Sequence, residues 1–570
     1  MGDMITERVW NGYKWETLTT AETERFNYRR VYLIGGKSDN TTIRTRWVKG
    51  SKIRENETIK TYWEDTSHNA FTESCNGFYD DKYIYTCISV GKNTNVGKSI
   101  KVWNYGNSPW ILNENELQPK NGTKMFGWTD VENSFDIEAN SVISVDATLS
   151  QNHVKSEGHA PGVVAVPDVS DLRICIAVGQ NDDHGGSTID SAHVTSSDSV
   201  APSMGNETSM TPGAQFNNDN NESGSTIKFM FLSNLTIYNP FRFKDMGNSF
   251  KFKGSHIECL SFKKGTRKLF VSVGSNKSEH ETSSVTPFSP GDNVTIKSYI
   301  WGEHDQDSVL IKTTWKDAEG SLFTGGGNHV IYDVWSNYFL ASGYNIPGGS
   351  DTDTTLKRAK VTYESTGFTG IGNWEDCGDN YFIKEGNCIA IGNVLGDGTW
   401  RDGTSGEYYV DDGKMGTLIN TSARNIIGSI IYVAVGRDVS DFTENENNVT
   451  IKYAFRSVNA GDKLSWKNVD IDQCFTDRGI TVKYDIQEKR FYATGKNRII
   501  GGTGYKSSTK YSNNGIIWKD LHEPLFEDST NDIERLGKEK TTYTPEEIRR
   551  SLLSDDPTFL DVVNYGCTIV

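Results

Sequence analysis

The chain predicts an all-β protein, a β-propeller of about seven blades (six to eight fit the count), and three observations carry that prediction. First, the stretch HVIYDVWSNYFLASG, His329–Gly343, returns as TVKYDIQEKRFYATG, Thr481–Gly495. Tyr332 and Tyr484 each stand eleven residues before the closing glycine, and Phe339 matches Phe491 as Ala341 matches Ala493. A register kept over such a length is the mark of an internal repeat. Second, short apolar runs closed by glycine recur at 31–36, 87–91, 175–179, 270–274, 388–392 and 432–436. Each reads as a buried strand turning at its tip. Third, hairpins ending in Trp recur, most clearly Tyr511–Trp518, where Asn514-Gly515 supplies the pair that a tight primed turn requires. Trp10–Trp15 carries the same Asn-Gly and terminal Trp. A unit of about four short strands cannot bury both faces alone, and stacking such units hides them. Two β-sandwich domains are the competing arrangement, and they leave the long repeat register without a cause.

The hairpins resemble the BNR or Asp-box repeats of sialidase-like and photosystem-assembly-factor-like propellers, whose hairpin reads Ser-x-Asp-x-Gly-x-x-Trp. Aligned on Gly515 and Trp518, Tyr511 stands at the Ser position and Asn513 at the Asp position, with Ser512 one place out of register. Gly12 and Trp15 keep the Gly-x-x-Trp ending, and Trp10 stands where Asp belongs. The resemblance implies a propeller over residues 1–525 and much less about activity.

Composition sets the outer bounds. With 570 residues the chain is long enough for one large repeat domain. Hydrophobic residues are 35% and the mean hydropathy is -0.56, so a soluble protein is expected. Its apolar runs have strand length, short of the roughly twenty residues that span a bilayer. The start lacks a secretory pattern but fits N-myristoylation at Gly2, with Thr6 in place. A net charge of -16 argues against a nucleic-acid partner. The basic stretch Lys251–Lys268 reads as the solvated face of a β-hairpin. The eight cysteines are scattered without a CxxC pair, which fits a reducing compartment. Cys87, Cys175 and Cys388 each stand four residues before a glycine and read as small buried hydrophobes. Asn-x-Ser/Thr sequons such as Asn40 and Asn121 follow from a composition rich in those residues.

Along the chain, residues 180–226 form a long polar insertion nearly devoid of core-forming side chains. Asp182, Asp183, His184 and His193 within it match no tight metal spacing. Asp397–Gly406 reads as turns before it reads as a Ca²⁺ loop. Residues 526–570 are expected to form a separate tail with a short helix opened by Thr544-Pro545-Glu546-Glu547. The apolar segment Phe559–Val563 then reads as a docking element, and Cys567–Val570 has the shape of a prenylation signal with an uncommon last residue.

No catalytic, cofactor-binding or metal site is predicted. A sialidase needs arginines that clamp a carboxylate, and the family's Arg-Ile-Pro-like string is absent. The nearest strings are Tyr28–Val31 and Ile43–Arg46, neither with a proline. No Gly-x-Ser-x-Gly, Walker loop, His-Glu-x-x-His or dinucleotide fingerprint occurs. The expected function is a non-enzymatic structural or protein-interaction propeller. Its expected partners are proteins, including virion or assembly components. A composition rich in Asn, Lys, Ile and Tyr resembles that of virion-associated propellers of large DNA viruses. The alternatives are a carbohydrate-active propeller, as hydrolase or lectin-like glycan binder, and an assembly factor. No cofactor is expected.

Overall fold

The computed structural model describes residues 8–10, 15–17, 28–37, 42–49, 64–65, 71–81, 86–94, 98–104, 128–131, 134–146, 173–181, 225–232, 243–246, 249–262, 267–276, 293–301, 315–333, 336–346, 354–364, 367–379, 381–393, 399–401, 408–410, 430–439, 448–456, 463–485, 490–497, 507–521, 526 and 528–536. Strands β1 (Arg8–Trp10) and β2 (Trp15–Thr17) pair as a small hairpin with Trp10 opposite Trp15. The body then follows in antiparallel groups of four. The second, third and fourth strands of the first group are β3 (Tyr28–Lys37), β4 (Ile43–Lys49) and β5 (Glu64–Asp65). The next group is β6 (Ser74–Asp81), β7 (Thr86–Lys92), β8 (Ile100–Asn104) and β9 (Thr129–Asp130). After it come β10 (Glu138–Asp146), β11 (Arg173–Gln180), β12 (Ile227–Leu232) and β13 (Lys244–Asp245). The fourth group is β14 (Lys253–Phe262), β15 (Arg267–Ser275), β16 (Ile296–Trp301) and β17 (Lys316–Asp317).

The fifth group is β18 (Gly326–Asp333), β19 (Tyr338–Tyr344) and β20 (Leu356–Glu364), extended by β21 (Gly367–Ile371) and β22 (Glu375–Asp376). Strand β23 (Gly378–Asp379) reaches forward to the sixth group, which opens with β24 (Glu385–Asn393). A separate hairpin of β25 (Thr399–Arg401) and β26 (Tyr408–Val410) follows. The sixth group continues with β27 (Ile430–Arg437), β28 (Ile451–Phe455), β29 (Leu464–Ser465) and β30 (Lys467–Asn468). The seventh is β31 (Arg478–Asp485), β32 (Arg490–Lys496), β33 (Thr509–Ser512) and β34 (Lys519–Asp520). Finally β35 (Ser529–Leu536) pairs with β3 and supplies the missing first strand of the first group. The stretch expected to be a separate tail from 526 onward thus begins with a strand of the body.

The expected closed propeller is corrected by the sheet topology. The strands form open sheets of 16, 9 and 4 members with three two-stranded sheets beside them, and no sheet returns on itself. Backbone pairing between successive groups is reduced to single residue pairs, Lys37 with Ser74, Glu138 with Lys92, Gln180 with Lys253 and Tyr344 with Glu385. Each first strand carries a bulge close to that end, which puts one residue out of the ladder. The fold is all-β with several open sheets. The virion and structural-protein reading that came with the propeller falls with it. Among the described residues, the only helical element is a short 3-10 turn, Ile471–Gln473. The expected tail helix at Thr544, the segment Phe559–Val563, Gly2 and Cys567 lie outside the described residues, as do residues 182–224 of the insertion.

Three local expectations change as well. The closing glycines do not end their strands. A Cβ on Gly91 would sit 2.2 Å from the Ser74 carbonyl and 2.7 Å from the Phe71 ring, and Gly436 has the same relation to Glu385 and Phe382. The glycines are there because a carbonyl and a Phe ring occupy the place of the side chain. The run 388–392 is a first strand, whereas the runs ending at Gly91, Gly179 and Gly436 are second strands, so Cys388 is not equivalent to Cys87 or Cys175. The Tyr511–Trp518 turn is not a primed turn. Gly515 has φ 76, while Asn337, in the turn between β18 and β19, is the described non-glycine residue with positive φ. Asn514 works through its side chain, whose Oδ1 accepts from the amides of Ile516 and Ile517.

Trp518 does fold over that turn, donating its indole N–H to the Gly515 carbonyl at 3.1 Å. Trp315, Trp374 and Trp466 are buried at the same place in their groups, just before a fourth strand, and Trp128 takes that place in the second group. Trp110 lies outside the described residues. Replacing Trp518 by Ala is expected to lower stability by about 3–5 kcal/mol in urea unfolding. An unchanged midpoint would show that the ring is not packed.

Candidate functional site

The bulges select the site. The residues they push out of register are Asn76, Asn140, Ser255, Asn328, Asn387, Ile480 and Asn531. The asparagines use the freed side-chain amide to reach the next group. Asn76 donates to the Ala139 carbonyl at 3.0 Å and Asn140 to Gly254 at 2.9 Å. Asn328 donates to Gly386 at 3.1 Å, Asn387 to Gly479 at 2.8 Å and Asn531 to Cys75 at 3.0 Å. These bonds bring the first strands side by side where the backbone ladder stops. The residues that follow the bulges face one another across the groups, and ionisable side chains gather there.

The centre of that gathering is Lys483 on β31. Its ammonium lies 2.7 Å from Glu534 Oε2 and 2.9 Å from Asp532 Oδ2, both on β35. Asp532 Oδ2 also accepts the Phe78 backbone N–H at 3.0 Å. The period of two along β35 places both carboxylates on one face, so a single lysine can meet them. The carboxylate side chains are 4% and 6% exposed, whereas Lys483 keeps 30%.

Burial opposes the charge on Lys483, but Asp532 and Glu534 together outweigh that effect and raise its pKa. Burial likewise pushes Asp532 up, to about 6, with Glu534 adding to the push while Lys483 opposes it. The two results agree once the charges are counted. One ammonium cannot neutralise two carboxylates, so the pair keeps Lys483 charged and the second negative charge is the one disfavoured.

His256 on β14 and His329 on β18 lie in the same region, each feeling the Lys483 charge. Their ring centroids are 4.0 Å apart with planes at 40°. Burial drives His256 down to about 3 and His329 well below its ordinary range, so both are neutral at pH 7. The Nδ1 atom of each is buried without a hydrogen-bond partner. Burial raises the thiols of Cys75 and Cys87 and pushes Cys388 up to about 12, so these cysteines are inert at neutral pH. Cys377 and Cys388 are both free thiols.

None of these residues was expected from the sequence as a site. The available signal was a single contrast between the two copies of the long repeat. Lys483 stands where the first copy has Ile331. Arg44, in one of the strings nearest a sialidase motif, instead stacks over Phe526 at 5.4 Å. The basic stretch Lys251–Lys268 falls on the β14–β15 hairpin, and Lys268 is buried. Asp182, Asp183, His184, His193 and Asp397 lie outside the described residues. Among the described residues no three His, Cys, Asp or Glu stand close enough to hold a metal ion, and no helix is long and apolar enough to cross a membrane.

No protein-family model matches the chain, and no curated protein matches it. Among solved structures the chain is similar to the GH74 enzyme of Niastella koreensis, at 10% sequence identity and a TM-score of 0.22, covering 91% of this chain and 52% of that one. This chain thus spans about half the length of that enzyme. A likeness at that TM-score carries no argument about fold or activity.

Two outcomes follow from the cluster. Lys483→Met leaves two buried carboxylates without their counter-charge, and urea unfolding is expected to show a loss of about 3–5 kcal/mol. Adding Asp532→Asn and Glu534→Gln should restore most of it. The second outcome concerns pH. Unfolded histidine takes a proton near 6.5. Folded His256 and His329 refuse it, so their contribution is complete above pH 6.5 and declines as pH falls toward 3. Asp532 acts in the opposite sense: its contribution is complete below pH 3.8 and is lost as pH rises through about 6. Between those limits two histidines outweigh one aspartate by about one proton, a slope of about 1.4 kcal/mol per pH unit. The urea midpoint should therefore fall from pH 6 to pH 4, and His329→Gln should flatten that fall. A slope unaffected by the substitution would contradict the assignment.

Proposed function

We propose that this chain is a non-enzymatic interaction protein that works by presenting surface to a protein partner. The observation that supports it is that Lys483, Asp532 and Glu534 pair with one another. Lys483 fills the gap between Asp532 and Glu534, where a glycosidic oxygen would have to sit if the two acted as a hydrolase pair. Both carboxylates are almost fully buried, and the neutral His256 and His329 rings lie against each other at a tilt. General acid–base work needs a group within hydrogen-bond reach of a substrate proton; Lys483 and Glu534 hold each other, and Asp532 holds Lys483 and the Phe78 amide through Oδ2. The net charge of -16 favours a partner with a basic surface over a nucleic acid.

The rival reading is a carbohydrate-active protein, and one set of assays separates the two. The pure protein should leave fluorogenic sialosides intact, stay silent on a glycan array and retain a protein partner in a native pull-down. Turnover abolished by Glu534→Gln would overturn the proposal. Glycan binding without turnover would replace it with a lectin-like role. Retention of a partner only while a larger complex is being built would favour an assembly factor.

A further inference from the structure

We propose that β35 exchanges between two copies of this chain, so that Asp532 and Glu534 of one copy complete the Lys483 cluster of the other. In the other six groups the first strand comes from the chain segment just before the second. In the first group it comes from the opposite end of the described chain, and Val31 pairs with Leu536. The place beside β3 is therefore a binding site for a strand, and every copy of the chain carries both the site and the strand that fits it.

What holds β35 is specific and is independent of how the strand is connected. Seven residue pairs join it to β3, with one register shift at Asn531. Asn531 is bonded to Cys75, Asp532 to Phe78 and Lys483, and Glu534 to Lys483. Just before the strand, Asp528 forms ion pairs with Lys37 and Lys496. A strand from a second copy would make every one of these contacts, and the interface would be the same in both directions. Four residues, 522–525, lie between Leu521, whose amide is bonded to Thr509, and Phe526, whose ring sits on Gly36 and travels with β35. Fully extended, the link from Leu521 to Phe526 spans roughly 16–18 Å, so an exchanged β35 enters a neighbour packed directly against its own body. The tether also keeps the strand at an effective concentration of order mM, so the closed monomer prevails in dilute solution. Exchange needs an opening step and crowded copies.

The test uses two full-length chains, both in a Cys567→Ser background, one with Lys37→Cys and the other with Ser529→Cys. Residues 37 and 529 are partners across the β3–β35 ladder. Paired strand residues lie about 4.5–5.5 Å apart at Cα, within the reach of a disulfide. The two chains are mixed at high concentration in urea just below the unfolding transition, returned to buffer and oxidised. The expected product is a covalent heterodimer whose amount rises about fourfold when both concentrations are doubled, and which is absent when urea is omitted. The unsubstituted chain, treated identically, should give a dimer by light scattering. Monomers alone in both experiments would overturn the proposal. So would equal cross-linking of Ser529→Cys to a chain carrying Lys519→Cys, because that would mean random collision.

Discussion

Everything in this molecule depends on one joint, made of a phenylalanine ring laid against a glycine. Phe71 covers Gly91, Phe135 covers Gly179, Phe250 covers Gly274 and Phe323 covers Gly343. Phe382, Phe475 and Phe526 do the same for Gly436, Gly495 and Gly36. The joint carries its own hydrogen bond to the preceding group. Thr42 donates to the Phe71 carbonyl at 2.8 Å, Ser99 to Phe135, Thr226 to Phe250, Thr295 to Phe323, Thr355 to Phe382 and Thr450 to Phe475. A hydroxyl one residue before the third strand thus holds the phenylalanine that packs into the next group. This compensates for the lost backbone ladder, because these six carbonyls at the breaks still find a donor.

The same ring then carries a charge. Lys101 lies over Phe71 at 5.3 Å, Lys228 over Phe135 at 5.4 Å, Lys297 over Phe250 at 5.7 Å, Lys452 over Phe382 at 5.2 Å and Lys510 over Phe475 at 5.4 Å. Arg44 does this for Phe526. A lysine this buried loses most of its hydration, and a ring face returns up to about 2 kcal/mol when desolvated. The remainder comes from a fourth-strand aspartate, Asp130, Asp317 or Asp520 for Lys101, Lys297 and Lys510. Where the sixth group has Asn468 in that place, Lys452 turns to Asp438 at 3.2 Å. Each ammonium therefore sits between a ring and a carboxylate, a cheaper burial than an ion pair in an apolar core.

This explains what sequence reading could and could not recover. The strands were legible because Val, Ile and aromatic runs alternate or stay apolar. The seven glycines were seen but given the wrong cause, since a turn glycine and a packing glycine look alike in one dimension. Thr226-Ile227-Lys228, Thr295-Ile296-Lys297 and Thr450-Ile451-Lys452 are a motif with a mechanism, as are Trp128-Thr129-Asp130, Trp315-Lys316-Asp317 and Trp518-Lys519-Asp520. Their meaning is hidden until the third strand of one group is seen to hold the phenylalanine of the next. Strand β35 was missed for a related reason: Ser529–Leu536 reads as a charged tail because its inward face carries Asp532 and Glu534 rather than apolar side chains. The cluster residues were illegible because their partners lie on different groups, 49 and 51 residues apart for Lys483 with Asp532 and Glu534.

The joint and the cluster differ in kind, and the difference separates architecture from the candidate site. Joint residues recur at matched positions, and substitution at one of them is answered nearby, as Asp438 answers Asn468. The cluster residues recur at matched positions in two cases, His256 with His329 and Glu534 with Glu258. After the bulges stand Gly77, Ser141, His256, His329, Cys388, Thr481 and Asp532, seven positions of one geometry with six residue types between them. Packing alone would select similar side chains at geometrically equivalent positions. The variety at these seven therefore marks the place where the fold leaves side chains free to differ. It is also where Lys483, Asp532 and Glu534 join the two ends of the described body through charges.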